Sequence, residues 1–236
     1  MIDVITGKTA TLTTGDMKVS YLHVGGAEVD VSNPEVNEEC LQILWESIIL
    51  GTDANLQMVE SQYKPAGSPV DVALLELLID NEKDVRGMLE TKGTEYKVLS
   101  SIPFNSSRKR RTVAYQVSES EVMIVMKGAP EEVVTRCAYQ LNGNCDNEPL
   151  EEDDQLDILN QTVTQGIATQ GWKPLSIAFK KRSLDDFLEM KEANGNFETE
   201  ESRAALEDEL TLLATVGLSD PLRPKVNQAI QKLSAA

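Results

Sequence analysis

An α+β fold, a twisted antiparallel sheet flanked by helices with short α/β stubs at both ends, is what these 236 residues predict. Three observations carry the prediction. EYKVLSSI, RRTVAYQVS and EVMIVMK follow in quick succession with strand-like alternation, the last two joined at Glu119-Ser120, as in an antiparallel meander. Amphipathic helices with clear start signals stand on either side of that meander. The last strong pattern is a strand, LTLLATVGL, that runs through a Pro-bracketed turn into the helix KVNQAIQKL, so the chain stops just as a new strand–turn–helix unit opens and reads as a piece of something larger.

Taken in order, MKVSYLHV (17–24) alternates like a half-buried strand and ends at Gly25-Gly26. Residues 33–51 read as a helix with Asn33 as cap, Pro34 in the first turn and Gly51 at the end. A second helix starts in GSPVDVALLELLIDNEKD, where Ser68 is the N-cap, Pro69 sits at N1 and Asp71 at N3, close to a capping box. After the meander a short helix opens at Ala129-Pro130 and runs to about Arg136. Residues 151–170 form another amphipathic helix, its acids gathered at the N-terminal end where the helix dipole favours them. PLSIAFKKR is a strand, and the acidic stretch 182–208 holds one or two surface helices. The expected division is a stub over 1–16, a main domain over 17–216, and a hinge with a second stub over 217–236.

A hydrophobic content of 41% supports one large core, while the absence of any apolar run of 18 residues excludes a membrane-spanning helix. The start MIDVITGK lacks the apolar core of a signal peptide. Cys40, Cys137 and Cys145 share no CxxC spacing and His23 is the single histidine, so no zinc site is expected and a reducing compartment fits best. A net charge of −17 argues against a nucleic-acid partner, because most of the surface would repel a phosphate backbone. Any anionic ligand must be met by a local basic patch.

Five segments could carry chemistry. VITGKTATLTTGDM contains a GKT triplet, but a phosphate-binding loop needs glycine five positions before that pair, and Ile2 stands there. IPFNSSRKRR sets Phe104 beside Arg108, Lys109, Arg110 and Arg111, the densest basic run, which suits a stacked base and its phosphates. By itself it reads first as a core phenylalanine followed by an exposed basic turn. In VMKGAPEEV, Lys127 ends a strand and Gly128 offers close backbone approach before a helix, or Lys127 is simply a surface lysine. Asp71 could accept from an adenine amino group or merely serve its own helix start. SDPLRP, with Asp220 and Arg223 across a proline turn, reads alone as a hinge.

Together and in this order, the segments resemble the cytoplasmic ATP-binding region of P-type cation-transporting ATPases, over nearly the whole chain. TGKTATLTTGDM is similar to the DKTGTLT phosphorylation motif, IPFNSSRKR to the adenine-stacking segment, VMKGAPE to the KGAPE motif and SDPLRP to the DPPR hinge. The flavour of IPFNSSRKR with GSPVDVALL is closest to plasma-membrane-type Ca2+ pumps. The resemblance implies ATP as ligand, with Mg2+ used in the intact parent protein. It implies that Phe104 stacks on adenine, that Lys109, Arg111 and Lys127 line the pocket, that Gly128 lets the ring approach, and that Asp71 replaces the usual glutamate. Lys173 stands at the arginine that reaches the phosphates and lacks its forked contact, and Asp220 and Arg223 complete the set. Gly7 falls where the phosphorylated aspartate belongs and Ala10 at the motif glycine; without a carboxylate there is no acceptor for a covalent phosphoryl group. The resemblance therefore implies a monomeric nucleotide-binding domain with phosphorylation-domain stubs, at the cytoplasmic face of a membrane but without direct membrane contact. Its partners are the phosphorylation, actuator and transmembrane domains of a pump. The alternatives are a catalytically dead ATP-sensing relative, or an interaction module whose acidic 147–157 and 196–209 segments bind a basic partner.

Overall fold

The computed structural model describes residues 6–7 and 11–234; Lys8, Thr9 and Ala10 of the altered motif lie outside the described residues. The chain opens with β1 (Lys18–Val24) and β2 (Ala27–Val29), then α1 (Glu38–Gly51), a hairpin of β3 (Asn55–Val59) and β4 (Gln62–Ala66), α2 (Pro69–Asp80) and α3 (Val85–Thr94). The meander follows as β5 (Lys97–Ile102), β6 (Arg110–Gln116) and β7 (Glu121–Gly128), and then the short α4 (Pro130–Val133) with a further tight turn to Arg136. Next come β8 (Cys137–Leu141), β9 (Asn147–Pro149) and α5 (Glu152–Asp157), which continues as a wider π-helical stretch over Ile158–Ile167. The last elements are β10 (Lys173–Ser183), α6 (Leu184–Ala193), α7 (Glu200–Glu207), β11 (Leu210–Ser219) and α8 (Val226–Ser234).

The main sheet runs β2-β1-β11-β10-β7-β6-β5, antiparallel throughout, and β8 adds the one parallel pairing, to the start of β11. The predicted meander is present in its predicted order. β11 pairs with β8 through Leu210–Leu212 and with β1 through Ala214–Ser219, continuing across the expected boundary at 216.

Strand alternation decides which helices cover which face. On β6 and β7, Val113, Tyr115, Met123 and Val125 join α1, α2 and α3 in the larger core, which includes Trp45 and Leu74. The intervening Ala114, Val122 and Ile124 pack under Phe187, Phe197 and Leu206, contributed by α6, α7 and the turn between them. Residues 182–208 are therefore not a purely surface segment; they supply the second layer. β7, buried on both sides, reads as a continuous apolar run for this reason.

The first helix corrects one expectation. It starts at Glu38 with Asn37, not Asn33, as its cap: the Asn37 side chain accepts from the Glu39 N–H at 2.8 Å and donates to the Asn144 carbonyl at 3.0 Å. That second bond comes from a loop more than a hundred residues away, so local pattern could not favour Asn37 over Asn33. Ser68 caps α2 as predicted, accepting from the Asp71 N–H at 3.1 Å.

Gly128 has a structural role besides the expected one. A Cβ built there would lie 2.5 Å from the Lys109 carbonyl oxygen and 2.7 Å from Arg110 Cα, so the close approach of the neighbouring strand by itself requires a glycine here. Gly128→Ala should therefore lower stability by about 1–3 kcal/mol, the usual cost of overpacking. Urea denaturation checks this, and a midpoint unchanged from the parent chain would show that β6 yields freely.

Candidate functional site

Lys127 and Arg111 face each other in the β6–β7 register and point to the α1/α2 side of the sheet. There each meets a carboxylate. Lys127 Nζ donates to Asp71 Oδ1 while the Ser68 hydroxyl donates to Oδ2 at 2.9 Å, and the Arg111 guanidinium grips both oxygens of Asp53. Lys127 is 9% exposed and Asp71 8%, so neither is the surface group that local sequence allowed. Burial pushes the Lys127 ammonium below its ordinary value, and the Asp71 carboxylate only partly offsets that.

These residues form the floor of a cleft of about 440 Å³ whose lining includes Asp53, Asp71, Phe104, Lys109, Arg111, Lys127, Gly128 and Lys173. Seven positions chosen from sequence thus share one pocket, and Val70, Ala129, Pro174 and Leu175 give it apolar walls. Four cations against two carboxylates make it a local basic patch in a chain of net charge −17.

Phe104 is 61% exposed, which rules out the core reading. Its loop is stiff: Asn105 Oδ1 accepts from the Ser107 N–H (2.7 Å), the Ser107 hydroxyl (2.6 Å) and the Arg108 N–H (3.2 Å), and the Asn105 carbonyl accepts from the Lys109 N–H at 2.7 Å. Lys109 Nζ reaches Glu131 at 3.0 Å in an exposed pair. Lys173 is the one cation of the cleft with no ion pair among the described residues.

The basic run is not one patch. Arg110 and Thr112 point through the sheet to the other face, and Arg108 joins them, all three converging on the buried Glu207. Only Lys109 and Arg111 remain for the cleft. Burial pushes the Glu207 carboxyl up, but hydrogen bonds from Arg108, Thr112 and Arg110 outweigh it and hold the group below the usual carboxylate value. Glu200 is lowered in the same way by Arg108 and Arg110. A carboxylate whose folded pKa is depressed contributes stability above its unfolded pKa and loses it as pH falls through the folded value. The urea midpoint should therefore drop below about pH 4.5, and Glu207→Gln should flatten that acid limb.

Two functional neighbours escaped the sequence reading. Asp53, just past α1, carries no local signal for its grip on Arg111. Lys92 on α3 donates to the Ile49 and Thr52 carbonyls at 2.9 and 2.6 Å, holding the end of α1 beside Asp53. Burial pushes its ammonium down to about 8, with Asp53 working against the shift.

Asp220 and Arg223 do not line the cleft. Asp220 accepts from the Thr13 hydroxyl at 2.7 Å and the Gly15 N–H at 3.0 Å, and the Arg223 N–H donates to the Leu12 carbonyl at 2.9 Å. The segments entering and leaving the domain thus run side by side, bridged at Thr13 and Leu222.

An antiparallel sheet covered on both faces, entered and left through one pair of adjoining segments, is consistent with a P-type ATPase N-domain-like fold. The family described as "P-type ATPase, cytoplasmic domain N" matches residues 40–225, and the chain belongs to it. A plasma membrane-type calcium-transporting ATPase of Arabidopsis thaliana is 30% identical over 240 residues, covering 99% of this chain and 21% of that protein. Calcium-transporting ATPase 9, plasma membrane-type, from the same plant is 29% identical over 234 residues, 97% of this chain and 20% of the relative. Plasma membrane calcium-transporting ATPase 3 of Rattus norvegicus is 26% identical over 238 residues, 97% and 18% respectively. The chain therefore spans about a fifth of the length of these relatives. Among the described residues no helix is long and apolar enough to cross a membrane.

Proposed function

We propose that this chain binds ATP as the nucleotide-binding domain of a P-type, calcium-transporting pump. The observation that carries the reading is Phe104: an exposed ring on a stiff loop, at the rim of a basic cleft in an acidic protein. A base stacks on the ring, the apolar walls cover its other surfaces, and Asp71 and Lys127 offer an acceptor and a donor to its polar edge. Lys173, exposed and without an ion pair among the described residues, faces the phosphates. Asp53 is paired with Arg111 and Asp71 with Lys127, so the charge of each cleft carboxylate is already balanced and neither favours a divalent cation, while Asp71 keeps lone pairs for a neutral donor on the base. Mg2+ belongs with the nucleotide in the intact pump, and ATP affinity here should change little on adding it. One stacked base contributes about 1–3 kcal/mol, which together with single-point phosphate contacts suggests a dissociation constant on the order of millimolar.

The paired segments at Thr13–Leu222 serve as the double connection to a phosphorylation domain, and that domain, the actuator and the membrane portion of the pump are the partners. The pump's cytoplasmic face is the setting. The rival reading as an acidic interaction module is weakened at Glu207, which is buried against Arg108 and Arg110, and at the half-exposed Glu200, whose carboxylate pairs with the same two arginines. ATP titration followed by amide NMR tests the proposal: shifts should cluster around Phe104, Lys127 and Lys173. Shifts scattered over the acidic segments, or none at ten-millimolar ATP (roughly tenfold above the expected constant), would sink it.

Gly7 stands, by resemblance, where the phosphoryl group is accepted, and glycine has no nucleophile. Incubation with γ-labelled ATP should therefore leave no acid-stable, hydroxylamine-labile label on the protein. Acid precipitation and counting provide the check, and label on the unmodified chain would overturn the placing of Gly7.

A further inference from the structure

We propose that Glu207 is a positioning residue for nucleotide binding, a buried carboxylate that fixes Lys109 in the cleft by holding the arginines on either side of it. The inference rests on the ATP-binding reading above. Glu207 closes α7, is 0% exposed, and lies on the opposite side of the sheet from Lys127. Its Oε2 accepts from Arg110 Nε at 3.0 Å and Nη2 at 2.8 Å, and its Oε1 accepts from Arg108 and from the Thr112 hydroxyl at 2.6 Å. Both oxygens are saturated, by groups 95 to 99 residues away.

Lys109 shows why this matters for the cleft. It has φ of 51°, a left-handed conformation that a residue with a Cβ adopts only when its surroundings impose it. Arg108 and Arg110 are both drawn to one carboxylate behind the sheet, and Lys109 between them is left facing the cleft. Its backbone is pinned as well: the Asn105 carbonyl accepts from its N–H, and its own carbonyl accepts from the Ala129 N–H at 3.0 Å, over the glycine at 128 that leaves room for it. Any movement of Arg110 shifts Lys109, Gly128 and Ala129 together, and all three line the cleft. A buried ion cluster that served as ballast alone could sit anywhere in the second layer. This one is built on the two residues that flank a cleft lysine.

The test is a double-mutant cycle on the full 236-residue chain, with ATP affinity read by calorimetry. Glu207→Gln should weaken ATP about fivefold or more in the parent background and less than about twofold when Lys109 is already alanine, because contacting groups couple and independent ones do not. Thr112→Val removes one hydrogen bond without touching a charge and should show the same dependence on Lys109 at a smaller amplitude. It decides the matter alone if Glu207→Gln does not fold. Without nucleotide, the Lys109 and Gly128 amides should move in both folded variants. Equal weakening in both backgrounds, or no weakening in a folded variant, would show that Glu207 only stabilises. Absence of ATP binding by the parent chain would sink the function reading and this one with it.

Discussion

Phe104→Ala should weaken ATP binding by roughly 10- to 100-fold while leaving thermal stability nearly unchanged, the split expected when a ring contributes stacking energy and little core packing. The ring is 61% exposed, so the chain forfeits little buried area when it is removed. A surface substitution of this kind moves stability by about 0.5 kcal/mol, or about 1–2 °C in a domain of this size. Binding is another matter. Burying an already rigid ring under a base costs little conformational entropy, because the Asn105 turn has fixed its loop beforehand. Phe104→Trp should keep or strengthen the interaction, since the larger face stacks at least as well. Calorimetric titration paired with thermal melting separates the outcomes. A large fall in melting temperature with unaltered affinity would return Phe104 to the core and remove the main support for a nucleotide site.

The sheet and most of the cleft were legible because their signals are local. EVMIVMK carries its own alternation, Ser68-Pro69 its own helix start, and Phe104, Lys127 and Lys173 sit in short motifs whose resemblance to a family could be read without the fold. What stayed hidden depends on partners distant in sequence. The β3–β4 hairpin turns on Glu60-Ser61, with φ of 49° and 67°, so a two-residue turn that usually advertises itself through Asn-Gly has no such mark here. Asp53 is a lone acid after a helix until Arg111 reaches it. Glu207 was submerged in an acidic stretch whose average property is solvation, and the basic run 108–111 reads locally as one patch until strand alternation sends Arg110 and Arg111 to opposite faces. The Asn33 cap failed for the same reason: Asn37 is favoured by a bond to Asn144 that no window around the helix contains.

Lys127→Met should be the most destabilising single change at the cleft, by about 3–5 kcal/mol, because it leaves the Asp71 carboxylate buried without its cation. The side chains are 10% and 11% exposed, too little for water to replace the lost partner fully. Ser68 still donates to Asp71, but to Oδ2, and one hydroxyl does not neutralise a charge. The companion Asp71→Asn strands the ammonium instead, in a neighbourhood that also holds Arg111, which disfavours the protonated lysine. The double variant Lys127→Met with Asp71→Asn removes both charges and should recover most of the stability, since an ion pair this buried contributes little net once its desolvation is counted. Affinity should not recover with it. The base edge would have lost its charged donor and acceptor together, and ATP and ADP should weaken alike because the lysine serves the base end rather than the terminal phosphate. Urea denaturation of the four proteins gives the stability cycle, and ATP and ADP titrations of the folded ones give the binding cycle. A double variant as unstable as the worse single one would show that the pair is not compensating, and a loss confined to ATP would move Lys127 to the phosphate end of the cleft.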